Sequence, residues 1–162
     1  MTDSLMYRRE IVPEDVMHVK NILNSTNMFT DAEVSIGIEL VLERLLKGVA
    51  SGYHFLFLDH NDAPLGFSCF GPIACAEDAF DLYWIAVRAE SRNKGWGSIL
   101  LKKTEEILRA QQARRLYVET SSTTRYASTR AFYLRRGYQE AARLEDFYRP
   151  GDDKIVFTKL VK

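Results

Sequence analysis

The sequence predicts an α/β chain, with a mixed central sheet and helices on both faces. Three observations predict it. Runs rich in aromatic and β-branched residues recur along the chain. Apolar residues at helical spacing stand between them. Helical segments separate the later strands, which implies parallel pairing there, while short turns elsewhere imply hairpins.

The elements follow in order. Met6 to Ile11 reads as an edge strand. Pro13, Glu14 and Asp15 suit a first helical turn, because proline fits there and acids favour the positive helix end. Val16, Val19, Ile22 and Leu23 form that helix's apolar face, and Ser25-Thr26-Asn27 breaks it. A second helix starts near Thr30, with Glu33 at capping-box spacing. Val34, Ile38, Leu42 and Leu45 continue it until Gly48 and Gly52. Tyr53 to Leu58 and Leu65 to Phe70 are strands joined by the turn His60 to Pro64. Phe80 to Val87 is a further strand. A loop from Arg92 to Gly97 leads into a helix from about Ser98 to Gln111. Leu116 to Thr120 is a short buried strand. Tyr126 to Arg136 is helical and stops at Gly137. Tyr138 to Arg143 and Lys154 to Val161 are the last strands, joined by EDFYRPGDD. The order is β-α-α-β-β-β-α-β-α-β-β, about seven strands.

Composition narrows the function. At 162 residues the chain suits one domain, 1–162, since two would average about 80 residues each. Lys+Arg and Asp+Glu are 22 each, so the net charge is zero and binding to nucleic acid through bulk positive charge is disfavoured. No apolar run approaches the ~20 residues that span a bilayer, and MTDSLMYRRE has no apolar signal core. Two cysteines, Cys69 and Cys75, make no disulfide framework, so a reduced cytoplasmic protein is expected. The neutral charge permits self-association, and a homodimer is a possible state. His18, His54 and His60 show no metal-ligand spacing, and no metal is expected.

The strongest chemical signal is Arg92-Asn93-Lys94-Gly95-Trp96-Gly97, set between a strand and a helix. Glycines let the backbone bend and approach a ligand. The helix start that follows, with Arg92 and Lys94, suits a phosphate or diphosphate. The segment lacks the Lys-Ser/Thr of a P-loop, and Leu100 stands where a dinucleotide fingerprint has its third glycine. A tight turn with solvated charges would look the same.

The wider context shifts the weight between these readings. IAVRAESRNKGWGSILL, then a helix, a strand and RAFYLRRGY, closely resembles the GNAT superfamily of acyl-CoA-dependent N-acetyltransferases. Its hallmark Arg/Gln-x-x-Gly-x-Gly/Ala is matched by Arg92, Gly95 and Gly97. Its helix tyrosine before a Gly-aromatic pair is matched by Tyr133 and Gly137-Tyr138. The resemblance implies the GNAT fold, splayed between the fourth and fifth strands. It implies acetyl-CoA as co-substrate, with its diphosphate on Asn93, Lys94, Gly95, Trp96, Gly97 and Ser98, near Arg92. The pantetheine arm would run along Ile85, Ala86 and Val87, held like an added strand. One position departs from the family. Many members have Asn seven residues before the helix tyrosine, where this chain has Tyr126, so the arm is expected to meet a different polar set that includes Tyr126 and Arg130.

The implied activity is direct transfer of acetyl to a primary amine of a small molecule. Tyr133 matches the family's general acid and would protonate the leaving sulfur. Asp81, which lies where histone-acetylating members carry their base, and Glu119 are alternative bases, and a water chain could serve instead. Phe29, Tyr83, Tyr148 and Asp146 are candidate acceptor contacts, since aromatics with acids suit a cationic amine. A protein or peptide acetyltransferase, acting on lysine or an N-terminus, and a non-catalytic acyl-CoA sensor are the alternatives.

Overall fold

The computed structural model describes residues 5–162. Its elements are β1 (Leu5–Arg8), α1 (Asp15–Ser25), α2 (Asp31–Lys47), β2 (His54–His60), β3 (Ala63–Pro72), β4 (Ala79–Val87), α3 (Trp96–Ala110), β5 (Arg115–Ser121), α4 (Ala127–Arg135), β6 (Gln139–Arg149) and β7 (Asp152–Leu160). The seven strands form one mixed sheet in the order β1-β2-β3-β4-β5-β7-β6. The β4–β5 pair is parallel, as the intervening α3 predicts. The chain divides into two compact units, Met1–Gly71 with Trp84–Ile107, and Pro72–Tyr83 with Leu108–Lys162.

In the first unit, local signals set the elements and side-chain alternation sets the layers. Thr30 caps α2 as expected. Its hydroxyl accepts the Glu33 N–H at 3.2 Å, and the Glu33 carboxylate accepts the Thr30 N–H at 2.7 Å. The β2–β3 turn is tighter than the expected five residues. Only Asn61 and Asp62 lie between the strands, both with positive φ, as a two-residue hairpin requires. Phe55, Phe57, Phe67 and Cys69 bury one face of this hairpin against Val19, Ile22 and Leu23 of α1 and Val34 and Val41 of α2. The opposite face meets α3, where Ser68 Oγ and Thr104 Oγ1 share a buried hydrogen bond of 2.7 Å. Helices therefore cover both faces of this half of the sheet.

Charge organises the start of α1 in a way composition does not reveal. Asp15, read from sequence as a helix-end acid, is 0% exposed. Arg8 grips it with both terminal nitrogens, at 2.8 and 2.9 Å, and reaches Asp59 through Nε at 2.9 Å. The Val12 N–H also donates to Asp15, at 2.9 Å. The guanidinium lies 4.5 Å from the centre of the Phe57 ring. The expected strand Met6–Ile11 stops at Arg8, because the chain turns there into this ion-pair cluster.

In the second unit, β5 pairs with β7 over its whole length, and Leu116, Val118, Ile155 and Phe157 bury one face. The expected connecting loop EDFYRPGDD is mostly strand: β6 runs to Arg149 and β7 begins at Asp152. Their ladder is irregular between Leu144 and Arg149. Asp146, at φ 51°, closes the distortion by accepting the Gly151 N–H at 2.7 Å. Every residue of β6 is exposed, as an edge strand permits.

Candidate active site

The first unit builds a turn suited to a diphosphate. β4 ends at Val87, and its terminus is tied to β3: Arg88 N–H donates to Leu65 O and its Nε to Pro64 O, both at 2.8 Å. Gly66 allows this approach, since a Cβ there would stand 2.6 Å from Ala86 O. The chain then passes through Arg92, whose Nη2 donates to Thr26 O at 3.4 Å. Asn93 and Gly95 both take positive φ, 59° and 82°. Asparagine and glycine are the residues that tolerate this conformation. Arg92, Asn93, Lys94 and Gly95 are exposed. α3 opens at Trp96, two residues earlier than the glycine pattern suggested, and its first bond runs from Ile99 N–H to Gly95 O. The amides of a first helical turn have no carbonyl partners within the helix, and the dipole there is positive. Gly95 faces open space, so its role is conformational rather than steric. This geometry fits a bound diphosphate.

Ile85, Ala86 and Val87 form the end of β4 in this same unit. The β4–β5 ladder covers only Ala79–Leu82 against Arg115–Val118. The next residues of β5, Glu119 to Ser121, remain paired to β7.

The second unit carries the candidate acid and bases, on opposite faces of its strands. Asp81 lies opposite Tyr117 in the parallel ladder, so Asp81, Tyr117 and Glu119 project to the same side. Lys154, from β7, joins them there: its Nζ is 2.9 Å from Glu119 Oε2 and 3.8 Å from the centre of the Phe147 ring. Burial raises the Asp81 carboxyl above its ordinary value. The Glu119 charge raises it further and Lys154 opposes. Tyr133 is on the other side, 3% exposed, its ring 6.2 Å from Phe157 and 5.3 Å from both Phe132 and Tyr138. Burial pushes its hydroxyl well above the usual tyrosine range, so it stays protonated at any physiological pH.

The remaining expected positions fall as follows. Arg130 donates to Ser121 O at 2.8 Å and Thr123 O at 2.7 Å, so it braces the chain after β5. Tyr126 ends the short 3-10 turn before α4. Phe29 packs edge-on against Trp84, with ring centres 4.9 Å apart. Tyr83 and Tyr148 are exposed, and Tyr148 stacks edge-on with Phe147 at 5.1 Å. Gly97 and Ser98 lie in the first turn of α3. Sequence reasoning did not single out Lys154, because only the β5–β7 register brings it to Glu119. Among the described residues, no group of three or more His, Cys, Asp or Glu is arranged to hold a metal. No described helix is long and apolar enough to cross a membrane.

Comparison with known proteins agrees with this geometry. The family model described as Acetyltransferase (GNAT) family matches residues 21–138. No curated protein matches. A solved GNAT-family protein from Desulfovibrio desulfuricans is 40% identical, with a TM-score of 0.96, over 98% of this chain and 100% of that one. Two more distant structures share the fold. The ribosomal-protein-S18-alanine N-acetyltransferase of Escherichia coli is 16% identical, with a TM-score of 0.71, over 98% of this chain and 95% of that one. The aminoglycoside 6'-N-acetyltransferase of Enterococcus faecium is 15% identical, with a TM-score of 0.76, over 97% of each chain. The family model spans most of the length, a relative 40% identical covers 98% of it, and the fourth strand is only partly zipped to the fifth: the chain belongs to the GNAT family of acyl-CoA-dependent acetyltransferases.

Proposed function

We propose that this enzyme, acting as a single domain, moves acetyl from acetyl-CoA directly to a primary amine of a small molecule. One observation carries the acceptor class: Asp81 and Glu119 share a strand face, and Tyr83, Phe147 and Tyr148 are exposed in the same unit. Carboxylates attract an ammonium group, and aromatic faces hold one by cation–π attraction. The look-alike folds do not select the acceptor, since one acts on an aminoglycoside and another on a ribosomal protein. Acetylation of a lysine or protein N-terminus is therefore the second reading, and acyl-CoA sensing without transfer a third.

In this reading each residue has a defined task. The amides from Asn93 to Ser98, with Arg92 and Lys94, bind the diphosphate. The backbone of Ile85, Ala86 and Val87 meets the pantetheine amides and polarises the thioester carbonyl. Tyr126 and Arg130 flank the arm. Asp81 or Glu119 takes the proton of the attacking amine, and the Tyr133 hydroxyl donates to the departing sulfur. Phe29 and Asp146 are further candidate contacts of the acceptor. Cys69 and Cys75 are free thiols, which supports a cytoplasmic location. The exposed strand β6 is the surface that supports a homodimer.

The decisive experiment follows free thiol from acetyl-CoA across a panel of small amines and peptides. Release with small amines alone supports the first reading. Release with peptides alone replaces it with the second, and CoA binding without release with the third. Two variants refine it. Gly95→Ala forces a side chain into left-handed backbone at about 1–2 kcal/mol, so CoA should bind roughly ten times more weakly by calorimetry. Unchanged affinity would remove Gly95 from the diphosphate site. Loss of the base should lower kcat/KM at neutral pH at least about tenfold, in Asp81→Asn or in Glu119→Gln.

A further inference from the structure

Two carboxylates share the face described above, and their partners differ. Glu119 is 52% exposed at its side chain and pairs with Lys154 at 2.9 Å. Lys154 is only 14% exposed there, fixed from its other side by the Phe147 ring at 3.8 Å. Asp81 is half-buried and lies one strand farther from Lys154, opposite Tyr117. We propose that Lys154 is a positioning residue: it commits Glu119 to an ion pair and thereby leaves Asp81 as the carboxylate that accepts the amine's proton. The inference rests on the acetyltransferase reading given above.

The step balances simply. An N–H bond of the substrate ammonium breaks, an O–H bond forms on Asp81, and the neutral amine keeps the electron pair that attacks the thioester. The proton on Asp81 then passes to water.

The surroundings of Asp81 decide how it titrates. β5 presents Tyr117 and Glu119 on its side, with Arg115 farther along the strand. β7 presents Lys154 and Asp152, and β6 carries Arg149 opposite Asp152. β4 itself adds Tyr83, and the sequence of β3, APLGFSCFGP, has no charged residue. Among these, Glu119 raises the Asp81 carboxyl and Lys154 lowers it, on top of the larger effect of burial. A positively charged and a negatively charged neighbour must act in opposite senses, and this yields a test with two signs.

The experiment is a carbon-13 NMR titration of the Asp81 carboxyl in the full chain, with acetyl-CoA turnover measured beside it. Lys154→Met removes the lowering charge and frees Glu119, so the Asp81 midpoint moves to higher pH. Glu119→Gln removes a raising charge, so it moves to lower pH. Lys154→Arg keeps the pair and restores the native profile. In Asp81→Asn the turnover falls at least about tenfold, and by more than in Glu119→Gln. Midpoints that stay fixed, or shift in the same direction, overturn the role of Lys154 even where Asp81 proves essential. Turnover that survives Asp81→Asn and is lost in Glu119→Gln overturns the assignment of the base. A chain that releases no thiol with any amine overturns the underlying reading, whichever way the midpoints move.

Discussion

Tyr133→Phe should lower the turnover number by about a hundredfold or more, the usual reach of a lost general acid. The prediction separates chemistry from packing because the ring would stay. Tyr133 is 3% exposed and its ring sits among Phe132, Tyr138 and Phe157, so phenylalanine keeps those contacts and stability should shift by less than about 1.5 kcal/mol. CoA affinity should also hold, since an interaction made mainly at the transition state leaves ground-state binding intact. Single-turnover kinetics beside a calorimetric Kd would check both. The pH dependence adds a sign. Burial raises the hydroxyl's pKa, so its proton is retained as pH rises through the ordinary tyrosine range, and no alkaline fall in rate below that range should belong to it. Wild-type turnover in the phenylalanine variant would reduce Tyr133 to a packing residue.

Arg8→Ala should be strongly destabilising. It leaves Asp15, with no exposure at all, holding only the Val12 N–H among the described residues, and strips a partner from Asp59 as well. Removing one member of a buried pair costs about 3–5 kcal/mol, because the other charge is left desolvated. For a chain of this size that is roughly 10 °C in Tm. Calorimetry on Arg8→Ala and on Arg8→Ala combined with Asp15→Leu would decide it. The double variant should recover much of the loss, since replacing both partners by apolar groups removes the orphaned charge. A single variant within about 1 kcal/mol of wild type would mean that water reaches Asp15.

Local chemistry was legible wherever a few adjacent residues settle it. The Thr30/Glu33 capping box closes within one helical turn, and so the sequence reveals it. The glycine-bearing turn after β4 was visible for the same reason, because Asn93 and Gly95 adopt conformations that few residues accept. β6 was read too short. Its residues alternate poorly and Pro150 stands just beyond them, so periodicity reports a loop, while pairing with β7 holds it extended. Asp15 was read as a helix-end charge because its partner Arg8 belongs to another element.

The sequence alone determined the family, the order of the strands and helices, and the glycine-bearing turn that opens α3, since each rests on residues close together in the chain. Only the tertiary structure decided that Lys154 meets Glu119, that Asp81 shares their face and that Tyr133 lies on the other. These facts depend on strand register, which shifts a side chain to the opposite face with every single residue of slip and is written in no short stretch of sequence.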